Sequence, residues 1–161
     1  MKSVKKRLLF VANVDWFFIS HRLILAEAAV KEGLDVTVVC GDTGRREEIE
    51  SVGATFINFK FERSGTNIFK ELFTLYKFYK LYKQVSPNIV QHITLKPVIY
   101  GSIIARFLKI PVLNAVSGLG FNFTEEKNGI STKIMVLLMR IGFKNKHLTC
   151  IFQNMDDRNT I

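Results

Sequence analysis

Short apolar runs alternate with segments of helical periodicity along the first 60 residues of the chain. The first run, Arg7–Ala12, is almost entirely apolar, as expected for a strand that is buried on both faces. The helical segment Phe17–Glu32 follows, and Gly33 occupies the position of a helix C-cap. Two further strands, Asp35–Cys40 and Thr55–Phe59, enclose a short charged helix. This order predicts an α/β fold, namely a Rossmann-like doubly wound parallel sheet with right-handed connections.

The alternation continues beyond residue 60 and predicts a three-layer α/β/α arrangement. The later elements are, in chain order, the helix Asn67–Val85, a strand that ends at His92, the helix Pro97–Leu108, the strand Pro111–Val116, the helix Ser131–Asn145 and the strand Leu148–Gln153. Proline fits the first turn of a helix but disfavours helical backbone at the preceding residue, so we expect the turn to close at Lys96. The pattern predicts a single domain over residues 1–161, with Ile161 where another helix should begin.

The strand that ends at His92 is followed by a polar turn that contains Thr94 and Lys96. Ligands of open α/β sheets bind beyond the carboxyl ends of the strands, so we expect His92 and Lys96 to point into a binding crevice. An imidazole both donates and accepts hydrogen bonds near neutral pH, which suits a residue of a binding site. The alternative for His92 is a structural histidine at the end of a strand.

No phosphate-binding fingerprint follows the first strand, where the sequence NVDWFF begins at Asn13. The absence of a GxGxxG or Walker pattern argues against a dinucleotide cofactor. The segment Gly118–Gly120 is a lone GxG after the fifth strand, and its backbone amides would let a ligand approach closely; its alternative is an ordinary turn. His21 and Arg22 lie in the first helix near the end of the first strand, and their alternative is a solvated helix face.

The formal net charge of +9 indicates an anionic partner such as a nucleotide, an anionic lipid or a nucleic acid. Nucleic acid is the least favoured of these, because no recognition motif accompanies the charge. Asp156 and Asp157 have no partners at metal-ligand spacing, so no metal is assigned. Cys40 and Cys150 are far apart in the sequence, which favours two free, buried thiols. No apolar run reaches the length of a membrane span and no signal-peptide cleavage site follows the first run, which favours a cytoplasmic protein.

The long helix carries a second stripe of side chains beside the stripe that should face the sheet. The sheet-facing stripe is Ile68, Leu72, Leu75, Tyr79 and Tyr82. The second stripe interleaves aromatic and basic residues: Phe69, Lys70, Phe73, Tyr76, Lys77, Lys80 and Lys83. Aromatic rings enter a membrane interface and ammonium groups meet anionic lipid, so this stripe predicts a membrane-facing surface. The predicted helix Ser131–Asn145 also ends in basic residues. The alternative is a wider buried face, in which other elements cover the aromatic rings.

Four segments carry a family resemblance: DWFFISHRLILAEAAVKEGLDVTVVC, QHITLKPVIYGSIIAR, NAVSGLGFNFT and IFQNMDDR. Their order and spacing resemble the amino-terminal domain of family-4-type glycosyltransferases, which have the two-domain GT-B fold. In that family this half mainly receives the acceptor, and a carboxyl-terminal half, absent from this chain, binds the nucleotide-sugar. The resemblance implies that the 161 residues fold alone but do not catalyse transfer. It implies no cofactor, since the nucleotide-sugar is a substrate.

The resemblance implies a retaining bacterial transferase for hexosyl or N-acetylhexosaminyl groups. Its donor would be a nucleotide-sugar, taken as UDP-linked, and its acceptor a lipid-linked or other saccharide of capsule or lipopolysaccharide synthesis, at the inner membrane face. His92 matches a histidine near the reacting sugar and is the implied catalytic residue. The implied substrate-binding residues are Asn13, Asp15, His21, Arg22, Thr94, Lys96, Ser117, Gly118 and Gly120. Many relatives have a Gly-Gly loop after the first strand, which Asn13–Phe17 replaces here.

Two alternatives remain open from the sequence. A sugar-nucleotide epimerase half would share the GT-B architecture. A noncatalytic membrane-surface binding module would need no nucleotide-sugar domain at all.

Overall fold

Six parallel strands form one sheet in the computed structural model, which describes residues 5–61, 68–116 and 130–152. The strands are β1 (Arg7–Val14), β2 (Asp35–Gly41), β3 (Thr55–Asn58), β4 (Ile89–His92), β5 (Val112–Val116) and β6 (Leu148–Phe152). Their order across the sheet is β3-β2-β1-β4-β5-β6. All five neighbouring pairs are parallel, so the predicted Rossmann-like doubly wound sheet is confirmed.

Helices cover both faces of the sheet and make it the middle of three layers. They are α1 (Asp15–Lys31), α2 (Arg46–Ser51), α3 (Ile68–Val85), a π-helical turn (Pro97–Gly101), α4 (Ser102–Phe107) and α5 (Ile130–Phe143). Alternate residues of β1 belong to two separate cores, because side chains of a strand point to opposite faces in turn. Phe10 and Ala12 pack with α1 and α2, whereas Leu9 and Val11 pack with α3, the π-helical turn, α4 and α5.

The strand order reverses between β1 and β4. From β1 the chain builds the sheet outward through β2 to β3, and from β4 it builds in the other direction through β5 to β6. The register pairs Leu8 to Val11 of β1 with Ile89 to His92 of β4. Ligands of such sheets bind beyond the carboxyl ends of the strands at this reversal, so the loops after β1 and β4 frame the candidate site.

The segment after β4 departs from the prediction, because the helix begins before its proline. Lys96 has helical backbone angles, φ −63° and ψ −50°, and the N–H of Val98 donates to the carbonyl of Thr94 at 2.9 Å. The predicted closure of the turn at Lys96 is therefore wrong. Pro97 lies in the first turn, where backbone N–H groups have no helical acceptor, so its missing donor costs no hydrogen bond. Packing outweighs the pre-proline bias, since every residue of the π-helical turn is buried.

The stripe predicted to face the sheet is wrong in the early turns of α3. Leu72 is 57% exposed, whereas Phe78, Leu81 and Tyr82 are buried. The 18 residues of α3 span about 27 Å, and the four residues of β4 span about 13 Å. The helix α3 therefore extends beyond the short strand β4, and its buried residues lie in its later turns.

Both cysteines are free, as predicted, with Cys40 buried and Cys150 half-buried. Burial raises the pKa of Cys40 to about 12, and the carboxylates of Asp15 and Asp42 add to the effect. The Cys40 thiol therefore stays protonated near neutral pH and is a poor nucleophile. No helix in the described part of the chain combines the length and the apolar character that crossing a bilayer requires.

Candidate functional site

A hydrogen bond joins the end of β1 to the loop after β4 at the carboxyl edge of the sheet. The backbone N–H of Asn13 donates to Oγ1 of Thr94 at 2.9 Å, so two predicted substrate-binding residues lie in contact where the strand order reverses. The side-chain Oδ1 of Asn13 is buried and accepts no hydrogen bond within the described structure. A buried amide oxygen of this kind can accept a hydrogen bond from a ligand hydroxyl.

Asp15 begins α1 and binds the loop after β2. Its buried carboxylate accepts hydrogen bonds from the N–H and hydroxyl of Thr43 and from the N–H of Arg45. Burial raises the pKa of this carboxyl, but the hydrogen bonds from Thr43, Arg45 and Trp16 outweigh burial and leave the pKa below its ordinary value. The carboxylate is therefore charged near neutral pH and holds the loop. Its role in substrate binding stays a prediction.

We expect Asp15→Ala to lower the free energy of unfolding by about 2 kcal/mol, because the N–H groups of Thr43 and Arg45 lose a charged acceptor. Urea-induced unfolding measures the loss, and amide hydrogen exchange at Thr43 and Arg45 shows whether the loop opens. Asp42→Ala is the matched control, since this exposed carboxylate binds the N–H of Gly44 within the same loop. Equal losses for the two variants would contradict the role given to Asp15.

His92 is completely buried and uses both ring nitrogens inside the core. Nδ1 lies 2.7 Å from Oδ1 of Asn114, and Nε2 lies 2.6 Å from Oη of Tyr82. The side-chain NH₂ of Asn114 donates to Oγ of Ser102 at 2.9 Å. With this amide orientation Oδ1 of Asn114 is the acceptor, so Nδ1 of His92 carries the proton. Nε2 then accepts a hydrogen bond from the hydroxyl of Tyr82, and the ring is neutral.

The environment of His92 fits a structural histidine. Burial lowers its pKa to about 4, although the hydrogen bond to Asn114 acts in the opposite direction. A neutral imidazole with both nitrogens occupied has no group left for a ligand in this conformation. The expectation that His92 points into the crevice is wrong, because the hydrogen bonds to Tyr82 and Asn114 hold the ring in the core. Its catalytic role is untested and stays a prediction.

The π-helical turn packs directly against the imidazole. A Cβ on Gly101 would overlap Nε2 of His92 and lie 2.7 Å from Oη of Tyr82, so glycine is required by this close approach. The buried hydrogen bonds join α3, β4, β5 and the first residue of α4, and the π-helical turn packs against them at Gly101. The segment between β4 and the π-helical turn carries Thr94, whose hydroxyl accepts from the N–H of Asn13, and Lys96.

Other predicted site residues lie on α1, after β4 or after β5. The exposed ring of His21 stacks on Phe17 with centroids 4.3 Å apart. Nη1 of Arg22 donates to the carbonyl of His21 at 2.8 Å, and Nε of Arg22 is buried without a hydrogen-bond partner in the described structure. Lys96 is half-buried. The remaining predicted residues lie outside the described part of the chain: Ser117, Gly118 and Gly120.

The predicted membrane-facing stripe of α3 is exposed where its side chains are described, except for Lys77, which is half-buried. Phe73 and Tyr76 are each more than half exposed. The ammonium of Lys77 lies 4.6 Å from the ring centroid of Phe73, and that of Lys80 lies 5.4 Å from that of Tyr76. Lys83 is also exposed. The side chains of Phe69 and Lys70 lie outside the described residues.

Sequence analysis missed Asn114 and Tyr82, the two residues that fix the ring of His92. Asn114 interrupts the apolar run of β5 and pairs with His92 in the register of β4 and β5. A polar residue in a strand that is buried on both faces needs a partner, so its position was a usable signal. Tyr82 gave no such signal, because a tyrosine in the buried stripe of a helix does not by itself indicate a polar partner.

The six parallel strands and the reversal of their order between β1 and β4 define a Rossmann-like α/β domain. The family model described as Glycosyl transferase 4-like matches residues 7–154, a span that includes all six strands. The chain therefore belongs to the Glycosyl transferase 4-like family, and the resemblance found in the sequence is confirmed. No curated protein matches the chain.

Solved structures of similar fold include transferases and an epimerase. MurG of Acinetobacter baumannii is 17% identical, with a TM-score of 0.56, over 94% of this chain and 42% of that one. The calicheamicin glycosyltransferase CalG4 is 15% identical, with a TM-score of 0.59, over 89% and 44%. A putative UDP-N-acetylglucosamine 2-epimerase from Listeria monocytogenes is 14% identical, with a TM-score of 0.57, over 91% and 44%.

These similarities show the fold alone, which is the amino-terminal half of the GT-B architecture, as predicted. The chain spans less than half the length of each of these three proteins.

Proposed function

We propose that this chain is the acceptor-side domain of a retaining bacterial glycosyltransferase. The whole enzyme would move a hexosyl or N-acetylhexosaminyl group from a UDP-sugar to a lipid-linked or other saccharide acceptor of cell-surface polysaccharide, such as capsule or lipopolysaccharide. Membership of the Glycosyl transferase 4-like family is the observation that carries the proposal. A second domain outside these 161 residues would bind most of the nucleotide-sugar.

The crevice at the strand reversal offers suitable chemistry for this reaction. Transfer passes through a charged sugar and a leaving diphosphate, which require hydrogen-bond acceptors near the sugar and positive charge near the diphosphate. Oδ1 of Asn13 is a buried acceptor without a donor in the described structure. The hydroxyl of Thr94 can donate to a ligand while it accepts from the N–H of Asn13. Lys96, half-buried two residues further on, would supply positive charge.

In the conformation described His92 positions the site, and its predicted catalytic role would need another position of the ring. Direct catalysis would require the ring to leave its hydrogen bonds with Tyr82 and Asn114, and therefore to leave the core. Holding the π-helical turn and the segment with Thr94 and Lys96 requires no such movement.

The proposal extends to localisation at the inner membrane face. Phe73 and Tyr76 expose their rings beside the ammonium groups of Lys77 and Lys80. Such a surface suits peripheral binding to a bilayer that also holds a lipid-linked acceptor.

Acceptor-dependent release of nucleoside diphosphate tests the transferase. We expect the full-length protein to release UDP from a UDP-sugar when a lipid-linked saccharide is present, and not in its absence. A coupled assay for free UDP, run with and without acceptor, measures this difference. The epimerase alternative, favoured by the fold shared with the putative 2-epimerase, predicts conversion of the UDP-sugar without acceptor. That outcome would overturn the transferase proposal.

A further inference from the structure

The two halves of the described chain differ sharply in charge. Residues 5–61, which form β1 to β3 with α1 and α2, carry eight Lys or Arg and eight Asp or Glu. Residues 68–116 and 130–152, which form the rest, carry eleven Lys or Arg and one carboxylate, Glu71. The hydroxyl of Tyr100 donates to this carboxylate from the buried π-helical turn, so Glu71 is turned inward. Most of the net positive charge therefore lies on the side of α3, α4 and α5.

The charges on the two helix layers are also paired differently. On α1 and α2, lysine and arginine form ion pairs with carboxylates on their own helix or cap: Lys31 with Glu27, Arg45 with Glu48 and Arg46 with Glu50. On α3, Lys77 and Lys80 lie over aromatic rings instead. Within the described residues no ion pair neutralises a basic side chain of α3, α4 or α5. Among the described residues, the basic side chains of these three helices are therefore not compensated by ion pairs.

Large apolar side chains are exposed on this same layer. They come from all three helices: Leu72, Phe73 and Tyr76 from α3, Phe107 from α4, and Leu137 and Ile141 from α5. We call these residues, together with the exposed basic residues of the same helices, the α3–α5 face. Phe107 is 75% exposed.

Contacts at the surface join the three helices into one face. The ring of Tyr79 meets that of Phe107 edge-on at 6.3 Å, which links α3 to α4. Nη1 of Arg106 donates to the carbonyl of Ile141 at 2.7 Å, which links α4 to α5. The α3–α5 face is therefore a continuous surface that is both apolar and basic.

The composition of the α3–α5 face indicates which kind of partner it can bind. The centres of protein interfaces are depleted in lysine, which argues against a folded protein partner. Exposed Leu and Phe side chains gain nothing from a phosphate backbone, which argues against nucleic acid. A bilayer with anionic lipid satisfies both properties, because apolar tips enter the interface while ammonium groups remain among the headgroups.

We infer that the whole α3–α5 face, and not α3 alone, lies on an anionic membrane surface. This inference rests on the proposed function in one respect, which is that the acceptor is lipid-linked. Between parallel strands a connecting helix runs antiparallel to the sheet, so α3 begins at the carboxyl edge. Leu72, Phe73 and Tyr76 occupy its first turns and therefore lie toward the crevice that Asn13 and Thr94 frame. A lipid-linked acceptor held in the same leaflet then reaches the crevice from the side of α3.

Vesicle flotation of the full-length protein tests the inference. We expect binding to equimolar phosphatidylcholine and phosphatidylglycerol at low salt, and no binding to phosphatidylcholine alone. Lys109, Arg140 and Lys144 lie on or beside α4 and α5. Replacing all three by Gln should lower the partition coefficient onto anionic vesicles about 100-fold, as much as replacing three lysines of α3 would. If this variant binds as the wild type does, the surface is confined to α3 and the inference is overturned.

The apolar component has its own variant and a matched control. Leu72→Ser, Phe73→Ser and Tyr76→Ser together should weaken the binding that remains in high salt, because apolar burial is not screened, and adding Phe107→Ser should weaken it further. Ile24→Ser with Leu25→Ser is the control, since these exposed residues of α1 lie on the opposite layer. An equal loss in the control would overturn the assignment of the face. The assignment would also be overturned if the wild type did not bind anionic vesicles, or if it bound duplex RNA in preference to them.

Flotation and the UDP-release assay fail independently. Vesicle binding requires no turnover, so acceptor-independent chemistry with normal flotation would overturn the proposed function and leave the α3–α5 face in place. Acceptor-dependent UDP release without any vesicle binding would overturn the α3–α5 face as a membrane surface and leave the proposed function in place.

Discussion

Replacement of Gly101 by alanine should destabilise the protein by on the order of 4 kcal/mol. The new Cβ would overlap Nε2 of His92 and lie 2.7 Å from Oη of Tyr82. Both rings are buried, so neither can swing into solvent to make room. Overpacking of a core costs about 1–3 kcal/mol, and the lost hydrogen bond between buried groups adds about 1–3 kcal/mol. Urea-induced unfolding measures the loss.

A double-mutant cycle of Gly101→Ala with His92→Ala separates this clash from a general intolerance of alanine. His92→Ala alone removes the ring and leaves Tyr82 and Asn114 without their partner, which is itself destabilising. In the double variant the methyl group introduced by Gly101→Ala would occupy space that the ring has vacated. We therefore expect the double variant to lose less stability than the sum of the two single variants. Additive losses would show that Gly101 and His92 are not in the close contact described.

The topology was predictable because it depends on local patterns that can be recognised in the sequence. Continuous apolar runs such as β1 and β2 are typical of strands buried on both faces, and the helical period between them requires a crossover. With right-handed crossovers, few arrangements of six such strands remain. The same local reasoning failed at Lys96, because the bias imposed by Pro97 is weaker than the packing of a buried π-helical turn.

The site was less predictable, because it depends on contacts between distant parts of the chain. Asn13 and Thr94 are 81 residues apart, and their hydrogen bond follows from the pairing of β1 with β4. The direction of the His92 ring depends on Tyr82 and Asn114, which are 10 and 22 residues away. The sequence placed His92 at the end of a strand correctly. It could not show which face of β4 carries the ring, since both faces are buried.

The neutral, buried state of His92 makes stability depend on pH. Burial lowers its pKa from 6.5 to about 4, so the native state binds fewer protons than the unfolded state between these values. Stability from this group is therefore complete above pH 6.5 and falls as the pH decreases toward 4. The shift corresponds to about 3 kcal/mol. The pKa of Asp15 is lowered from 3.8, so the stability it contributes is lost mainly below pH 3.8, after most of the effect of His92.

Chemical denaturation at a series of pH values between 6.5 and 4 measures the effect. His92→Asn retains a donor toward Asn114 but does not titrate, so its stability should change less with pH across this window than that of the wild type. The comparison concerns the slope, because the variant also loses the acceptor for Tyr82 and starts from a lower stability. His147→Asn, at an exposed histidine, controls for the removal of a histidine elsewhere. Parallel slopes for the wild type and His92→Asn would show that His92 takes up its proton equally well in the native and the unfolded state, and therefore that burial does not hold the ring neutral.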